Sequence, residues 1–174
     1  MPRPRHLPAL AVVAVAFAVA AYLLLRPTDE SRIRSQLDRL AAAIRVTEAD
    51  AQGSPVGRLA HVNGDLERLF EPDVRMSMPE VTSVTSGRAE LAELVAGAPR
   101  FVRTFDVDFT NVTIKLDQDR TTALVGATAK MKLTDRDGSA SQERRAVDLR
   151  FVRKDGAWFI RSLTVWTKED AAPG

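Results

Sequence analysis

The chain has 174 residues, 25 Lys plus Arg against 23 Asp plus Glu, and no cysteine. The missing cysteines exclude disulfides, thiolate metal sites, a cysteine nucleophile and a lipidated cysteine anchor. A pI near 9.3 invites a nucleic-acid partner, but Arg3 and Arg5 carry the surplus, leaving 23 basic and 23 acidic residues from Arg26 onward, without the basic stripe that phosphate-backbone binding requires.

Residues 7–25 read LPALAVVAVAFAVAAYLLL without a charge, and as a helix they would extend about 28 Å at ~1.5 Å per residue, close to a bilayer core. Pro8 would lie in the first turn, where its missing N–H does no harm. Ala18-Val19-Ala20 would also suit a signal-peptide cut, but the new terminus would begin Ala21-Tyr22-Leu23-Leu24-Leu25. A signal peptide turns polar before its cut, so the uncleaved anchor is the better fit. Arg3 and Arg5 before the span act as the topology signal and keep the N-terminus cytoplasmic. With 20 Arg, 5 Lys and much Ala, the composition points to a bacterial source. The expected organisation is a cytoplasmic segment 1–6, a single-pass inner-membrane anchor 7–25, a linker and helix start 26–30, one periplasmic or extracellular domain 31–168, and a tail 169–174.

Thr28 is placed to cap a first soluble helix with Asp29 and Glu30 in its first turn and Ile33, Leu37, Leu40 and Ile44 on one stripe. A loop through Gly53 leads to Ser54-Pro55, a cap followed by a first-turn proline, and a second helix with Leu59, Val62, Leu66, Leu69 and Phe70 inward, ended by Pro72. A short strand over 74–78 and a polar loop follow. Ser86-Gly87 then opens a third helix carrying Leu91, Leu94, Val95 and Ala98.

After Pro99 the pattern alternates with period two through four strands. Phe105, Val107 and Phe109 have opposite parity to Val112, Ile114 and Leu116, which implies a face swap or a bulge near Thr110-Asn111. The second strand turns Ala123, Val125, Ala127, Ala129, Met131 and Leu133 inward, the third Val147, Leu149 and Phe151, and the fourth runs from Trp158-Phe159-Ile160 to Val165-Trp166. Asp137-Gly138 and Asp155-Gly156 are hairpin turns. Three helices packed in a strongly curved antiparallel sheet make an α+β cone.

Leu69-Phe70-Glu71-Pro72-Asp73-Val74-Arg75, the helix opening at Gly87-Arg88 and the closing Arg153-Lys154-Asp155-Gly156-Ala157-Trp158-Phe159-Ile160 resemble the nuclear transport factor 2-like superfamily, including its SnoaL-like branch. The resemblance covers roughly residues 31–166 and implies the cone-shaped fold. It also implies candidate activities, since such families include polyketide cyclases, ketosteroid isomerases and dehydratases beside non-catalytic domains. The isomerases use a tyrosine hydroxyl, whereas the sole tyrosine here is Tyr22, inside the span. The cyclases and dehydratases rely on a histidine or a buried carboxylate, for which His61 is the only histidine candidate.

Asp106 and Asp108 alternate against apolar neighbours and belong to an outer face. Asp135-Arg136-Asp137-Gly138 fails as a calcium loop, because aligning Gly138 as its glycine puts Leu133 and Arg144 where carboxylates are needed. No metal and no cofactor is therefore expected. The cone interior offers Met76, Met78, Phe105, Phe109, Phe151, Trp158 and Trp166 as ligand-pocket candidates, with Arg75 and Arg103 toward the rim. The expected function is a non-catalytic interaction or accessory module of a membrane-protein complex. The alternative is binding of a small apolar ligand, or cyclase, isomerase or dehydratase chemistry with His61. A homodimer could form through the outer sheet face, where Leu124, Thr128 and Val152 are expected.

Overall fold

A computed structural model describes residues 27–78 and 81–166. The expected anchor, the cytoplasmic segment and the tail lie outside the described residues. Among the described residues no helix is long and apolar enough to cross a membrane. The chain divides into two compact units, 1–32 and 33–174, and the second carries the sheet and its core.

Helix α1 (Asp29–Ile44) has Asp29 and Glu30 in its first turn, and the Thr28 hydroxyl accepts a hydrogen bond from the Ser31 N–H. Ile33, Leu37 and Leu40 are buried, as the spacing implies. The expected loop after it contains a short helix, α2 (Glu48–Gln52), which Thr47 and Asp50 close with a reciprocal capping box. The Thr47 hydroxyl caps the Asp50 N–H, and the Asp50 carboxylate accepts from the Thr47 N–H at 2.7 Å. An aspartate stands where this motif more often has Glu or Gln, which hides it in the sequence. Just before the box, Val46 and Phe105 exchange two backbone hydrogen bonds of 2.8 and 2.9 Å, tying the helical layer to the sheet.

Helix α3 (Pro55–Leu69) starts with its proline in the first turn, but Ser54 makes no side-chain cap. Val62, Leu66 and Leu69 are buried, whereas Leu59 is 38% exposed. Strand β1 (Phe70–Met78) follows at once, so Pro72 lies inside a strand rather than beyond a helix. The proline is tolerated because the pairing of β1 is broken between Phe70 and Arg75, where no ladder N–H is needed. The expected polar loop is strand β2 (Val81–Ser86), antiparallel to β1. Helix α4 (Arg88–Gly97) and a 3₁₀ turn (Ala98–Arg100) then lead into the main sheet. Gly87 stands at the α4 N-cap with φ 96° and ψ 147°, a combination close to glycine-only backbone space.

Strands β3 (Val102–Leu116), β4 (Thr122–Asp135), β5 (Ala140–Lys154) and β6 (Ala157–Val165) form the predicted meander, and the six-stranded order is β2-β1-β6-β5-β4-β3. The expected wholly antiparallel sheet is corrected at one ladder, because β1 pairs with β6 in parallel. These strands come from opposite ends of the domain, and a parallel pair needs a long crossover, here the entire β2–β5 segment. The apparent parity conflict in β3 is resolved by a bulge between Thr110 and Thr113, with Asn111 at φ 53°. Phe109 therefore faces Ala129 while Ile114 faces Val125 and Leu116 faces Ala123. The tight β5–β6 turn has Asp155 at φ 50° and Gly156 at φ 80°, the primed geometry that the Asp-Gly pair favours.

The core joins Ile33, Leu37 and Leu40 of α1 to Val62, Leu66, Leu149, Phe151, Trp158 and Ile160. Gln36 Nε2 donates to the Trp158 carbonyl at 3.1 Å. Among the described residues Glu71 is the buried charged side chain, 3% exposed; Lys154 pairs with its Oε1, and Arg161 Nε lies 3.7 Å from its Oε2. Burial of a carboxylate is tolerated only with such partners. On the outer face Leu124 is exposed, but Val152 is buried, so the latter is not available for pairing as expected.

Two consequences are testable. Gly87→Ala is expected to lose about 1–3 kcal/mol of stability by forcing a Cβ into that backbone region, as read by urea denaturation. Burial tends to raise the Asp50 carboxyl, but hydrogen bonds from Thr47 and Arg58 and the Arg58 charge outweigh it and hold the group below its ordinary value. A lowered folded-state pKa stabilises the protein above the unfolded value and ceases to do so as pH falls through the folded one. Asp50→Asn is thus expected to be less stable than wild type at pH 7, with the gap shrinking below about pH 4, in denaturation curves run across that range.

Candidate functional site

Helices α1 and α4 and the inner sheet face enclose more volume than their side chains fill. The remaining cavity holds about 260 Å³, near the lower end of small-molecule sites at about 300 Å³. Leu40 and Ile44 of α1 and Leu91, Leu94 and Val95 of α4 form one side. Phe70, Met76 and Met78 of β1 form a second, and Phe105, Val107 and Phe109 of β3 a third. Ala129 and Met131 of β4, Val147 of β5, Leu163 and Val165 of β6, with Ala98 and Val102, complete the wall. All eighteen lining residues have apolar side chains. The short side chain of Ala129, registered opposite Phe109, leaves space in this wall. Leu94 is 57% exposed while also lining the cavity, which places it at the opening.

Of the residues proposed for a pocket, Met76, Met78, Phe105 and Phe109 line this cavity. Phe151 and Trp158 are fully buried in the core and do not line it. Trp166 is half-buried, and its indole Nε1 donates to Asp148 Oδ2 at 2.7 Å. Periodicity identifies an inward side chain but not how deep along the cone it sits, which is what separates core from lining. His61 is not part of the cavity. Its side chain is 81% exposed, with Nε2 3.4 Å from Asp65 Oδ2 one helical turn away, in a surface groove shared with Arg39 and Arg68. Arg103 pairs with Glu48 at 2.9 Å, and Asp106 with Arg45 at 2.7 Å. Among the described residues no three His, Asp or Glu side chains converge as a metal site would require.

One polar pair escaped the sequence reading. Arg145 Nη2 lies 3.0 Å from Glu143 Oε1, with the two side chains 13% and 35% exposed. Arg145 is registered opposite Ala129 and Glu143 opposite Met131, both of which line the cavity. The signal was present in the parity of β5: continuing Phe151, Leu149 and Val147 backward by twos reaches Arg145 and Glu143.

The architecture is shared with several solved structures. A nuclear transport factor 2-like protein with a cystatin-like fold from Novosphingobium aromaticivorans superposes with a TM-score of 0.62 at 16% identity, covering 90% of each chain. A protein described as a candidate scytalone dehydratase from the same organism gives 0.61 at 14% identity, over 79% of this chain and 82% of that one. A candidate calcium/calmodulin-dependent protein kinase II association domain from Xanthomonas campestris gives 0.62 at 16% identity, over 82% and 90%. At such identities the likeness establishes the fold alone. No curated protein matches the chain. The family profile of the SnoaL-like domain matches residues 60–164, a span running from α3 through β6 and holding most of the cavity wall. The match covers more than half of the sequence, so the chain belongs to the SnoaL-like domain family, on a nuclear transport factor 2-like fold.

Proposed function

We propose that this protein is a membrane-anchored, extracytoplasmic SnoaL-like module that binds a small apolar molecule and performs no acid–base chemistry within its cavity. The observation that carries this proposal is the wall of eighteen apolar side chains around about 260 Å³. Small-molecule sites are mostly apolar, and transfer of an apolar ligand from water into such a space is favourable by roughly 25 cal/mol per Å². Turnover needs a proton donor or acceptor within hydrogen-bond reach of the substrate, and His61 stands outside the cavity in solvent.

The anchor rests on the uncharged run 7–25 and on Arg3 and Arg5 before it. In this reading a membrane-protein complex receives or supplies the ligand, and two copies would pair through the outer sheet face around Leu124.

Three methionines, Met76, Met78 and Met131, line the cavity, and the fourth is Met1. Methyl-methionine NMR of the full chain in lipid nanodiscs therefore reads the cavity directly. Titration with nonane is expected to shift all three cavity methyl resonances, Ala129→Leu to weaken binding at least tenfold by filling the space, and His61→Ala to leave it unchanged. Unshifted methyls at saturating nonane would end the ligand-binding reading. For topology, a C-terminal reporter that is active only outside the cytoplasm is expected to be active, and replacing Arg3 and Arg5 with Glu to reduce that activity severalfold. A reporter active only in the cytoplasmic version would overturn the orientation.

A further inference from the structure

Among the described residues the exposed large apolar side chains are Val56, Leu59, Leu94, Phe101 and Leu124. All but Leu124 belong to one region. Val56 and Leu59, on the first turns of α3, share a surface groove with Ala96, Gly97 and Arg100. Ala96 and Gly97 lie between Leu94 and Ala98, both of which line the cavity, and Phe101 stands between the groove's Arg100 and the cavity's Val102. The groove and the cavity opening thus meet at the end of α4 and the 3₁₀ turn. Val56 is 78% and Phe101 76% exposed, and neither lines the cavity, so a ligand held inside does not account for their position in water. Apolar residues scattered singly over a surface need no explanation, but a cluster at the rim of an apolar opening marks an interaction surface. Glu93 and Arg100 are exposed beside the same groove and cancel in charge.

We propose that this patch docks on a lipid bilayer, with Val56, Leu59, Leu94 and Phe101 entering the boundary between headgroups and acyl chains, so that the cavity opens onto lipid rather than water. The proposal rests on the anchor reading above and adds a route for the cavity's ligand. Only Arg26, Pro27 and Thr28 separate the uncharged run 7–25 from Asp29, the first residue of α1. A domain tied so closely to a membrane-spanning segment meets that bilayer at high effective concentration, and even weak docking is then populated. An apolar ligand concentrates in lipid rather than in water, and an apolar rim carries the cavity wall into that phase without a polar step between. The neutral sum of Glu93 and Arg100 gives a protein partner no charge pattern to match. The stem of Arg100 can lie along lipid with its guanidinium at the level of the phosphates.

Because the chain has no cysteine, a single introduced thiol can be labelled without background. The test uses the full chain in phosphatidylcholine nanodiscs, one copy per disc, carrying a nitrobenzoxadiazole label at Ala96→Cys in the groove or at Asp119→Cys in the β3–β4 turn. Phe101 precedes β3 and Asp119 follows it, and the 15 residues of that strand extend roughly 45–50 Å at ~3.3 Å each. Replacing part of the lipid with doxyl-phosphatidylcholine is expected to quench the groove label at least threefold more than the turn label. Val56→Glu together with Phe101→Glu should make the two sites nearly equal. Val56→Ser with Phe101→Ser serves if the glutamates lose the dispersed methionine methyl spectrum of the folded protein, and should at least halve the ratio. Equal quenching at the two sites, or a ratio unmoved by these substitutions in a folded chain, would overturn the docking proposal and leave the anchor and cavity readings standing. A groove label that is blue-shifted yet unquenched would show burial against protein, a second copy included, and would overturn it as well. A chain that elutes apart from the nanodiscs would overturn the anchor reading and the docking together.

Discussion

Strand β3 has to present apolar side chains inward along its full length although their spacing changes parity halfway, and the extra residue between Thr110 and Thr113 is what permits this. Without that bulge, either Phe105, Val107 and Phe109 or Val112, Ile114 and Leu116 would face water. A bulge also bends and twists its strand, so the same residue that restores the register contributes to the curvature of the sheet. Asn111, with φ 53°, suits the position because short polar side chains tolerate the left-handed region. Both the cavity wall ahead of the bulge and the core ladder behind it depend on this one local device.

The curvature then sets the chemistry. A sheet that bends around helices can enclose space, and β4 lines that space with the short Ala129 beside Met131. Near the closed end, Phe151, Trp158 and Ile160 fill the interior with Leu37 and Leu66. Between α1, α4 and the sheet an apolar hollow remains. The side chains lining this hollow are all apolar. The exposed His61 of α3 lies outside the cavity wall.

Much of the fold was legible in the sequence because it depends on short-range rules. Helical spacing identified α1 and the inward face of α3, alternation identified β3 to β6, and the Asp155-Gly156 pair marked a primed turn. What escaped shares a physical cause. Strand β2, reading Val81-Thr82-Ser83-Val84-Thr85-Ser86, lies at the sheet edge, and an edge strand does not need a continuous apolar face. The parallel β1–β6 ladder joins residues some ninety positions apart, and no local pattern encodes a partner at that distance. Glu71 is buried because Lys154 and Arg161 arrive from other strands. Helix α2 is too short to show an apolar period.

The sequence by itself determined the balanced charge of the body, the uncharged run near the start, the helix and strand types and the inward parity of each strand, since all of these follow from residue order and nearest neighbours. Only the tertiary structure decided which inward residues are core and which line a cavity, that His61 is exposed to solvent, and that Glu143 and Arg145 form an ion pair on β5. Those outcomes depend on where strands lie relative to one another along the cone, and that placement is settled by packing across the whole domain rather than by any segment of it.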